Sequence, residues 1–431
     1  MKKKLEWIKI EPNEKQDWIN QRDGLFDTLI PLTPEKKFDQ TSTSVFTMCS
    51  NGAKTQRDSW SYNSSETKVE ETAQESINFY NDTVKALANK EISEPDYKTS
   101  KISWTRAVTN DVNKGKLYDY NDAEIRDAIY RPFFKQKILW YTTLVERRYR
   151  VPHLYPCREA KNLLICVSGI GVTKKFSCII SDILPDLELI GKSQCYPFYW
   201  YEENKNTQAS LFDDVTEDKY IKRDGISDWI LKNVRSRFGN TRVIDKETIF
   251  YYVYGLLHSP DYRARFADDL KKSLPRILIV DTIEEFMEFS SAGRKLAALH
   301  LNYETIEAAS DVTITDILPE GSDLYEHYRV HDKMRFRSKN DKSAIIYNGH
   351  ITIENIPAKA YEYVVNGKSA IEWLVERYCV SQDKASLIEN DANDWGKEHG
   401  KPRYILNLVL SVINVSCQTV DIVNSLPKLK F

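Results

Sequence analysis

The chain has 431 residues, 41% of them hydrophobic and 29% charged, with a formal net charge of −2. This composition is ordinary for a globular protein with a sizeable core, and the length suits two or three domains or one large mixed domain. The net charge argues against a protein that binds nucleic acid through a basic arm, but it is compatible with one basic face among acidic ones.

The cysteines and the chain start bear on the cellular compartment. The 7 cysteines contain no Cys-x-x-Cys pair, which favours reduced thiols over a disulfide framework or a zinc site. The first residues lack the apolar stretch of a signal peptide, and the longest apolar-rich stretch, 404–415, is too short to span a bilayer. The sequence therefore predicts a cytoplasmic protein.

Residues 1–40 are predicted to form a linker or junction segment, with a helix over 14–23 and a strand-like run over 25–30. A strand-rich lobe is predicted over 41–215. Its apolar residues from Val69 to Leu87 recur at steps of three and four, which indicates one long helix capped by Ser64 or Ser65. Strands are predicted at 45–49, 138–141, 163–167, 176–180 and 198–201.

Residues 216–310 are predicted to be helical, and residues 311–431 to form a C-terminal mixed lobe. Asn348-Gly349 lies between two β-branched runs and predicts a hairpin with a type I′ turn. Strands and helices occur in blocks rather than in alternation, so the fold class is predicted to be α+β. Helices are expected at 228–238, 247–258, 260–273, 282–302, 369–378 and 405–422.

Motifs for several catalytic classes are incomplete. Gly367-Lys368-Ser369 is like the end of a phosphate-binding loop, but Glu362 stands where the first glycine is required, which favours a turn. Gly169-Ile170-Gly171 lacks the third glycine and the following helix of a dinucleotide site, which favours a tight hairpin. A methyl-donor motif and an Asn-Pro-Pro-Tyr type loop are also missing. We therefore predict that the chain alone is not an enzyme and needs no cofactor or metal.

Three short segments combine cations or amides with aromatic side chains: residues 52–60, 130–135 and 194–201. None contains a credible nucleophile or metal cluster. Such segments are more typical of a surface that binds a polymer and recognises its sequence than of a catalytic site.

The first segment presents Lys54, Gln56 and Arg57 after a turn at Gly52. Arginine can form two hydrogen bonds with guanine, and glutamine two with adenine, each pairing discriminating between bases by about 1–3 kcal/mol. Arg57 is thus the candidate base reader. A solvated turn is the plainer alternative from this motif alone.

Six cations lie between residues 131 and 150 against one acid, Glu146. Arg131, Lys135 and Lys137 are predicted to alternate along one strand and to share a face. Arginines on both sides of Tyr149 suit phosphate contact and stacking, although a charged strand edge that discourages aggregation is an equal alternative. The residues predicted to contact DNA are Lys54, Gln56, Arg57, Arg131, Lys135, Arg147, Arg148, Arg150, Lys174 and Lys175.

In this order the three segments resemble the C-terminal DNA-specificity domain of Type ISP restriction–modification enzymes. That family carries Gly-Val-x-Thr-x-Arg-Asp-x-Trp, Tyr-Arg-Pro-Phe and Gln-Cys-Phe-Pro-x-Tyr, followed by a helical stretch similar to 224–303 of this chain. The similarity covers roughly residues 16–400. The sequence departs from the family at Ala53, where valine is usual, and at Tyr196, where phenylalanine is usual.

The resemblance implies an α+β target-recognition module for duplex DNA. Family enzymes are single chains in which a nuclease, a helicase-type ATPase and an adenine methyltransferase precede this domain. The chain is therefore expected to direct adenine methylation and ATP-dependent cleavage that other domains or chains carry out. It is expected to be either a fragment or a protein that works beside separately encoded partners.

The alternative function is a non-catalytic protein-interaction scaffold of the same system. A scaffold would bind its partner through an aromatic anchor such as Trp60 or Trp200, and its binding would be insensitive to salt.

Overall fold

The structure is a computed structural model that describes residues 9–34, 38, 43–204 and 219–431. The described α-helices are α1 (Gly24–Thr28), α2 (Asp58–Ser61), α3 (Glu66–Ala88), α4 (Arg106–Asn113), α5 (Val151–Leu154), α6 (Asp228–Arg237), α7 (Lys246–Leu256), α8 (Pro260–Arg265), α9 (Asp269–Lys272), α10 (Ile283–Leu301), α11 (Leu324–His327), α12 (Ala370–Arg377), α13 (Asp394–Glu398) and α14 (Tyr404–Asn424). Short 3₁₀ turns span Tyr120–Asp122 and Ala358–Tyr361.

The described strands are β1 (Ile30–Pro31), β2 (Ser50–Asn51), β3 (Tyr62–Asn63), β4 (Glu124–Arg131), β5 (Phe134–Trp140), β6 (Leu164–Val167), β7 (Cys178–Ser181), β8 (Leu184–Pro185), β9 (Gln194–Pro197), β10 (Tyr199–Glu203), β11 (Tyr220–Asp224), β12 (Arg276–Ile277), β13 (Thr313–Asp316), β14 (Arg335–Phe336), β15 (Ile345–Ile346), β16 (Ile351–Glu354), β17 (Val364–Val365), β18 (Lys368–Ser369), β19 (Val380–Gln382) and β20 (Glu389–Asp391). The fold is α+β, as the sequence predicts.

The strands form several small sheets rather than one large sheet. Three have four strands, in the orders β2-β9-β6-β7, β3-β5-β4-β8 and β13-β16-β15-β14. Two-stranded pairs are β1-β12, β10-β11, β17-β18 and β19-β20. The β4-β8 pair is parallel, and the other ladders between these strands are antiparallel.

The sheet β2-β9-β6-β7 lies between two hydrophobic cores. Along β6, Leu164 and Cys166 pack into one core while Ile165 and Val167 pack into the other, because successive side chains of a strand point to opposite faces. All four are buried. Since both faces of this sheet are covered, its functional residues must lie in the loops at its ends.

The two cores do not follow the chain in consecutive blocks. The first joins residues within 48–200 to residues within 299–420, and the second is built around α6, α7 and α10. A third, smaller core packs α3 and α4 against β5. The predicted division at residues 40, 215 and 310 is not tested by this packing and stays a prediction.

Helix α3 agrees with its sequence prediction in both extent and cap. The Ser65 side chain accepts a hydrogen bond from the Lys68 amide, which satisfies one of the free amides at the helix start. The buried residues of α3 include Val69, Ala73, Ile77, Tyr80 and Val84, which form one stripe.

The prediction for residues 14–30 is wrong. Residues 14–23 are irregular, and helix α1 occupies Gly24–Thr28 where a strand was expected. The Asp23 side chain caps α1 by accepting from the Leu25 amide, while its backbone amide donates to the Asp269 carboxylate. Contacts with a distant segment therefore decide this region, and periodicity within it does not reveal them.

The hairpin at 345–353 is confirmed, but its type I′ turn is wrong. Ile345 pairs with Ile353 and Ile346 with Thr352, and the Tyr347 amide donates a hydrogen bond to the Ile351 carbonyl. The loop that remains has three residues, 348–350. The Asn348 side chain closes this loop by accepting from the His350 and Ile351 amides. An Asx turn thus takes the place of the two-residue turn.

Helices α7 and α10 cross unusually closely at two glycines. A Cβ on Gly293 would lie 1.9 Å from the Tyr251 carbonyl oxygen, and one on Gly255 would lie 2.2 Å from the Phe289 carbonyl oxygen. Only glycine permits backbones to approach in this way. The crossing fixes the second core on which the sheet rests.

Among the described helices, α14 is long and apolar enough to cross a membrane by length and composition. It runs for 21 residues, further than the 404–415 stretch seen in the sequence, and 67% of its most apolar window is buried inside the fold. Its burial matches that of a core helix, and α14 contributes to both main cores.

Candidate nucleic-acid interface

The first sequence segment and the start of the third lie at one end of the buried sheet. Strand β2 runs into the turn of residues 52–57, hereafter the Gly52 turn, and pairs with β9 through Ser50 and Cys195. Strand β9 begins at Gln194, and β6 ends opposite it at Val167. The Gly52 turn, the β6–β7 loop (168–177) and the loop before β9 (186–193) therefore emerge at the same end.

The Gly52 turn is bound to the loop before β9 through the backbone. The Ala53 amide donates to the Pro185 carbonyl at 2.8 Å, and the Leu187 amide donates to the Ala53 carbonyl at 2.7 Å. A Cβ on Gly52 would lie 2.3 Å from the Asp186 carbonyl oxygen, so this close approach requires glycine. The turn is thus held against a fixed backbone.

Side chains join the first segment to the second. The Tyr130 hydroxyl donates to Asp58 at 2.8 Å, and Arg131 donates to Asp186 at 2.7 Å while stacking on the Tyr130 ring at 3.8 Å. The Tyr62 hydroxyl also donates to Asp186, at 3.0 Å. Burial raises the pKa of the Asp186 carboxyl to about 7, although the adjacent Arg131 cation counteracts the rise. The network makes a rigid platform beneath the turn.

Arg57 is buried inside the protein and does not lie on its surface. Only 3% of the Arg57 surface is exposed. The Arg57 guanidinium donates a hydrogen bond to the Thr105 hydroxyl at 2.5 Å, and that hydroxyl donates to the Glu146 carboxylate at 2.8 Å. Burial lowers the pKa of Arg57 to about 10. Its Nε atom has no hydrogen-bond partner among the residues that the structure describes. In this conformation Arg57 supports the turn, and its role as a base reader stays a prediction.

Gln56 stands at the tip of the turn. It is exposed and has a φ of +57°, a left-handed conformation that points the chain sharply back toward the platform. No side-chain hydrogen bond of Gln56 occurs within the described part of the chain.

Lys54 and Arg147 form an unusual pair beside Gln56. Their backbones form an antiparallel bridge, exchanging two hydrogen bonds of 2.9 Å, so the two residues lie directly opposite each other with Cα atoms about 5.5 Å apart. Side chains of such a pair project to the same side. Neither cation forms an ion pair within residues 9–34, 38, 43–204 and 219–431. The structure thus places two cationic residues opposite each other, and neither has an ion-pair partner among the described residues.

The other two arginines of this segment differ in their surroundings. Arg148 is half-buried and burial lowers its pKa, with no acid contributing. Arg150 donates to the Cys49 carbonyl and lies 5.8 Å from the Phe38 ring centroid, so it also fastens the start of β2. Arg148 is therefore the more available cation of the two.

The expectation that Arg131, Lys135 and Lys137 share one strand is wrong for Arg131, whereas Lys135 and Lys137 do lie two residues apart on β5. Strand β4 ends at Arg131 and β5 begins at Phe134, with Phe133 in the turn at a φ of +59°. Each cation has an acidic partner: Lys135 bonds to Glu304 at 2.6 Å, and Lys137 contacts two carboxylates. The charges of this hairpin are largely matched within the protein.

Lys174 and Lys175 lie in the loop between the antiparallel strands β6 and β7. The predicted hairpin is thus confirmed, but its loop spans residues 168–177 and is longer than the tight turn that was expected. Both lysines are exposed and form no ion pair with another described residue. Sequence reasoning missed Lys192, an exposed lysine with a φ of +48° whose ammonium donates to the Ile170 carbonyl at 3.4 Å. The sequence feature that could have revealed Lys192 is the Gly191-Lys192 pair, a turn signal directly before the third segment.

The tryptophans proposed as protein-binding anchors also have defined positions. Trp200 is 1% exposed, and its indole donates to the Thr47 hydroxyl at 3.1 Å, so it is a core residue and cannot anchor a surface contact in this conformation. Trp60 is half-buried and donates to the Ser100 carbonyl at 3.2 Å. Among the described side chains there is no group of three or more His, Cys, Asp or Glu that could hold a metal ion.

Comparisons with known proteins agree with this arrangement. The family model described as the Type ISP C-terminal specificity domain matches residues 44–408. The ATP-dependent Type ISP restriction-modification enzyme LlaBIII, solved bound to DNA, is similar at a TM-score of 0.84 and 37% identity, over 98% of this chain and 25% of that one.

Two further structures give the same result. A nuclease-deletion mutant of the Type ISP enzyme LlaGI in complex with a DNA substrate mimic has a TM-score of 0.82 and 35% identity, over 99% of this chain and 36% of that one. The DrdV–DNA complex has a TM-score of 0.80 and 28% identity, over 99% of this chain and 41% of that one. A search of curated proteins gave no match. The chain thus spans between 25% and 41% of the length of these three solved proteins.

Proposed function

The chain belongs to the family of Type ISP C-terminal specificity domains, and from this we propose that it recognises a sequence in duplex DNA for a restriction–modification system. Two of the three similar structures are Type ISP restriction-modification enzymes with DNA or a DNA substrate mimic bound, and the third is the DrdV–DNA complex. Adenine methylation and ATP-dependent cleavage would be carried out by other domains or chains, because the matched family is the specificity part of such enzymes.

The observation that carries this proposal is the unmatched pair of Lys54 and Arg147. Like charges directly opposite each other in an antiparallel pair are destabilising, and an anion bound between them would offset this repulsion. A DNA phosphate would supply that anion, and release of its counterions would favour binding. The pair therefore acts as a phosphate clamp beside the tip of the Gly52 turn.

Gln56 is the base reader in this proposal. Its side chain is exposed at a rigid tip and can form two hydrogen bonds with the N6 and N7 atoms of adenine. Arg57 is a positioning residue, because its guanidinium ties the turn to Thr105.

The remaining predicted contacts divide into two groups. Arg148, Lys174 and Lys175 contact phosphates, since no described acid pairs with them. Arg131, Lys135 and Arg150 have partners in the protein and act through the shape of the platform. The unpaired cations are spread along one end of the sheet, which suits a duplex lying across several loops.

A selection of binding sites from a randomised duplex pool tests this function, at low and at moderate salt. Enrichment of one short site that survives the higher salt supports autonomous target recognition. Salt-sensitive binding without enrichment would mean that the domain grips DNA but needs its methyltransferase to read sequence. Absence of binding at both salt concentrations contradicts the proposal and favours a protein-interaction scaffold.

A further inference from the structure

A cavity of about 500 Å³ lies away from the Gly52 turn, behind the β6–β7 loop. Its walls come from that loop, from α8, from α14 and from the β17–β18 hairpin. The Asn366 amide donates to the Ser177 hydroxyl at 2.8 Å, which fixes the hairpin against the loop. A volume of this size falls within the range of about 300–1,000 Å³ that is usual for small-molecule sites.

The charged residues that line the cavity are mostly cations. The lining includes three cations, Arg263, Lys175 and Lys271, and one carboxylate, Glu362. Lys271 is bonded to Asp268 at 2.8 Å, but Arg263 and Lys175 have no carboxylate partner in the described ranges. An anionic group is thus the expected occupant of this side.

Arg263 is held in a fixed orientation. Its Nε donates to the Leu257 carbonyl at 2.6 Å, and one terminal nitrogen lies 3.3 Å from the Cys178 sulfur. The guanidinium also lies 5.8 Å from the Phe176 ring centroid. These contacts leave its second terminal nitrogen for a ligand, and a preformed guanidinium is well suited to phosphate.

The other walls are apolar and aromatic. Phe176, Tyr363, Val364 and Val420 line them. The Tyr363 hydroxyl is buried and has no hydrogen-bond partner in the part of the chain that the structure describes. A buried polar group without a partner is unusual and suggests one that a ligand supplies. One side of its ring is stacked on His300, with the ring centroids 4.9 Å apart.

We propose that this cavity binds a nucleoside phosphate, either a free mononucleotide or one nucleotide of a bound strand. The phosphate lies against Arg263 and Lys175, and the nucleoside lies against the apolar and aromatic walls. An anionic head and a flat, partly polar body are the two features that the cavity matches. The site does not depend on base reading by the Gly52 turn, so it goes beyond the proposed function.

Titration of the full chain with adenosine 5′-monophosphate, adenosine and inorganic phosphate tests the proposal by calorimetry. The monophosphate is expected to bind at least tenfold more tightly than either of the other two. Ala264→Trp, which fills the cavity from an exposed lining position, and Lys175→Glu are expected to weaken this binding at least tenfold. Lys232→Glu, an exposed change on α6, is the matched control and should leave it unchanged.

The source of the nucleotide follows from competition. If single-stranded or duplex DNA displaces the monophosphate and Ala264→Trp also weakens DNA binding, the nucleotide belongs to a strand. If DNA and the monophosphate bind together, the ligand is a free nucleotide. The proposal is overturned if inorganic phosphate binds as tightly as the monophosphate. It is also overturned if the monophosphate does not bind at millimolar concentration and Ala264→Trp leaves DNA binding unchanged. Melting temperatures of the variants exclude misfolding as the cause.

Discussion

The guanidinium of Arg131 lies 2.7 Å from the carboxylate of Asp186, in a pair that is almost entirely buried. The same Asp186 accepts a hydrogen bond from Tyr62, and its carbonyl oxygen occupies the space that a side chain on residue 52 would need. Asp186 thus unites the first two sequence segments with the loop before β9. The matching motifs of the family act here as parts of one platform.

Replacement of Arg131 by methionine should lower the free energy of unfolding by about 3–5 kcal/mol, because it leaves the Asp186 carboxylate buried without its cation. Urea unfolding measures this loss. The matched control is Arg337→Met, which removes an exposed ion pair with Glu354 and should cost less than about 1 kcal/mol. Equal losses for the two variants would show that the buried pair does not stabilise the platform.

Gln56→Ala should weaken binding to the selected DNA site by about 1–3 kcal/mol and leave binding to random duplex nearly unchanged. The reason is that Gln56 is exposed at the tip, whereas Arg57 is buried. Arg57→Ala should instead lower the melting temperature and weaken both kinds of binding. Fluorescence anisotropy with the two duplexes, together with thermal unfolding, separates these effects. If Arg57→Ala removes discrimination alone at an unchanged melting temperature, Arg57 reads bases after all.

Arg147→Gln should have opposite effects on DNA binding and on the stability of the free protein. Loss of one phosphate contact should reduce the slope of log K against log salt by about 0.9. Relief of the like-charge contact with Lys54 should stabilise the free protein by up to about 1 kcal/mol. Lys54→Gln should behave in the same way.

Lys232→Gln on α6 is the control for this pair, since it removes one exposed positive charge elsewhere. Salt titrations of DNA binding and urea unfolding provide both readouts. An unchanged salt slope in Arg147→Gln would remove Arg147 from the set of phosphate contacts.

Gly293→Ala should destabilise the protein by about 1–3 kcal/mol or more, because its Cβ would overlap the Tyr251 carbonyl at the crossing of α7 and α10. Gly24→Ala is the matched control, since a Cβ there meets no atom within 4 Å and lies at the start of α1. Urea unfolding of both variants measures the difference. A stable Gly293→Ala protein would mean that the two helices can separate without loss of the core.

The sequence predicted the parts of the fold that local patterns determine. Periodicity and Ser65 located α3, and short β-branched or aromatic runs bounded by glycine, proline or charged residues located β5, β6 and β7. At the site, the order of the three segments led to the family. The burial of Arg57 was not predictable from its neighbours, because its partner Thr105 lies 48 residues away. The Lys54–Arg147 bridge likewise joins two segments that local patterns cannot align.

The last prediction concerns acid stability and rests on His300, which is 2% exposed. Its Nδ1 lies 2.6 Å from the Tyr254 hydroxyl and its Nε2 lies 3.0 Å from the Thr419 hydroxyl, an arrangement that suits a neutral ring. Burial, with a further contribution from the Arg263 cation, lowers the pKa of His300 from its ordinary 6.5 to about 3. The ring centroid of His258 lies 5.6 Å from that of His300. Burial lowers the pKa of His258 as well.

Between these two pKa values the unfolded chain binds a proton that folded His300 does not, so stability must fall as the pH drops below about 6.5. From pH 7 to pH 5 the loss from His300 should be about 2 kcal/mol. Urea unfolding at both pH values should show that His300→Gln, although less stable at pH 7, loses about 2 kcal/mol less than the unmodified protein. His331→Gln is the control, because it makes the same replacement at a histidine whose side chain is 49% exposed. Parallel stability curves for His300→Gln and the unmodified protein would mean that His300 takes up a proton in the folded state without opening the core.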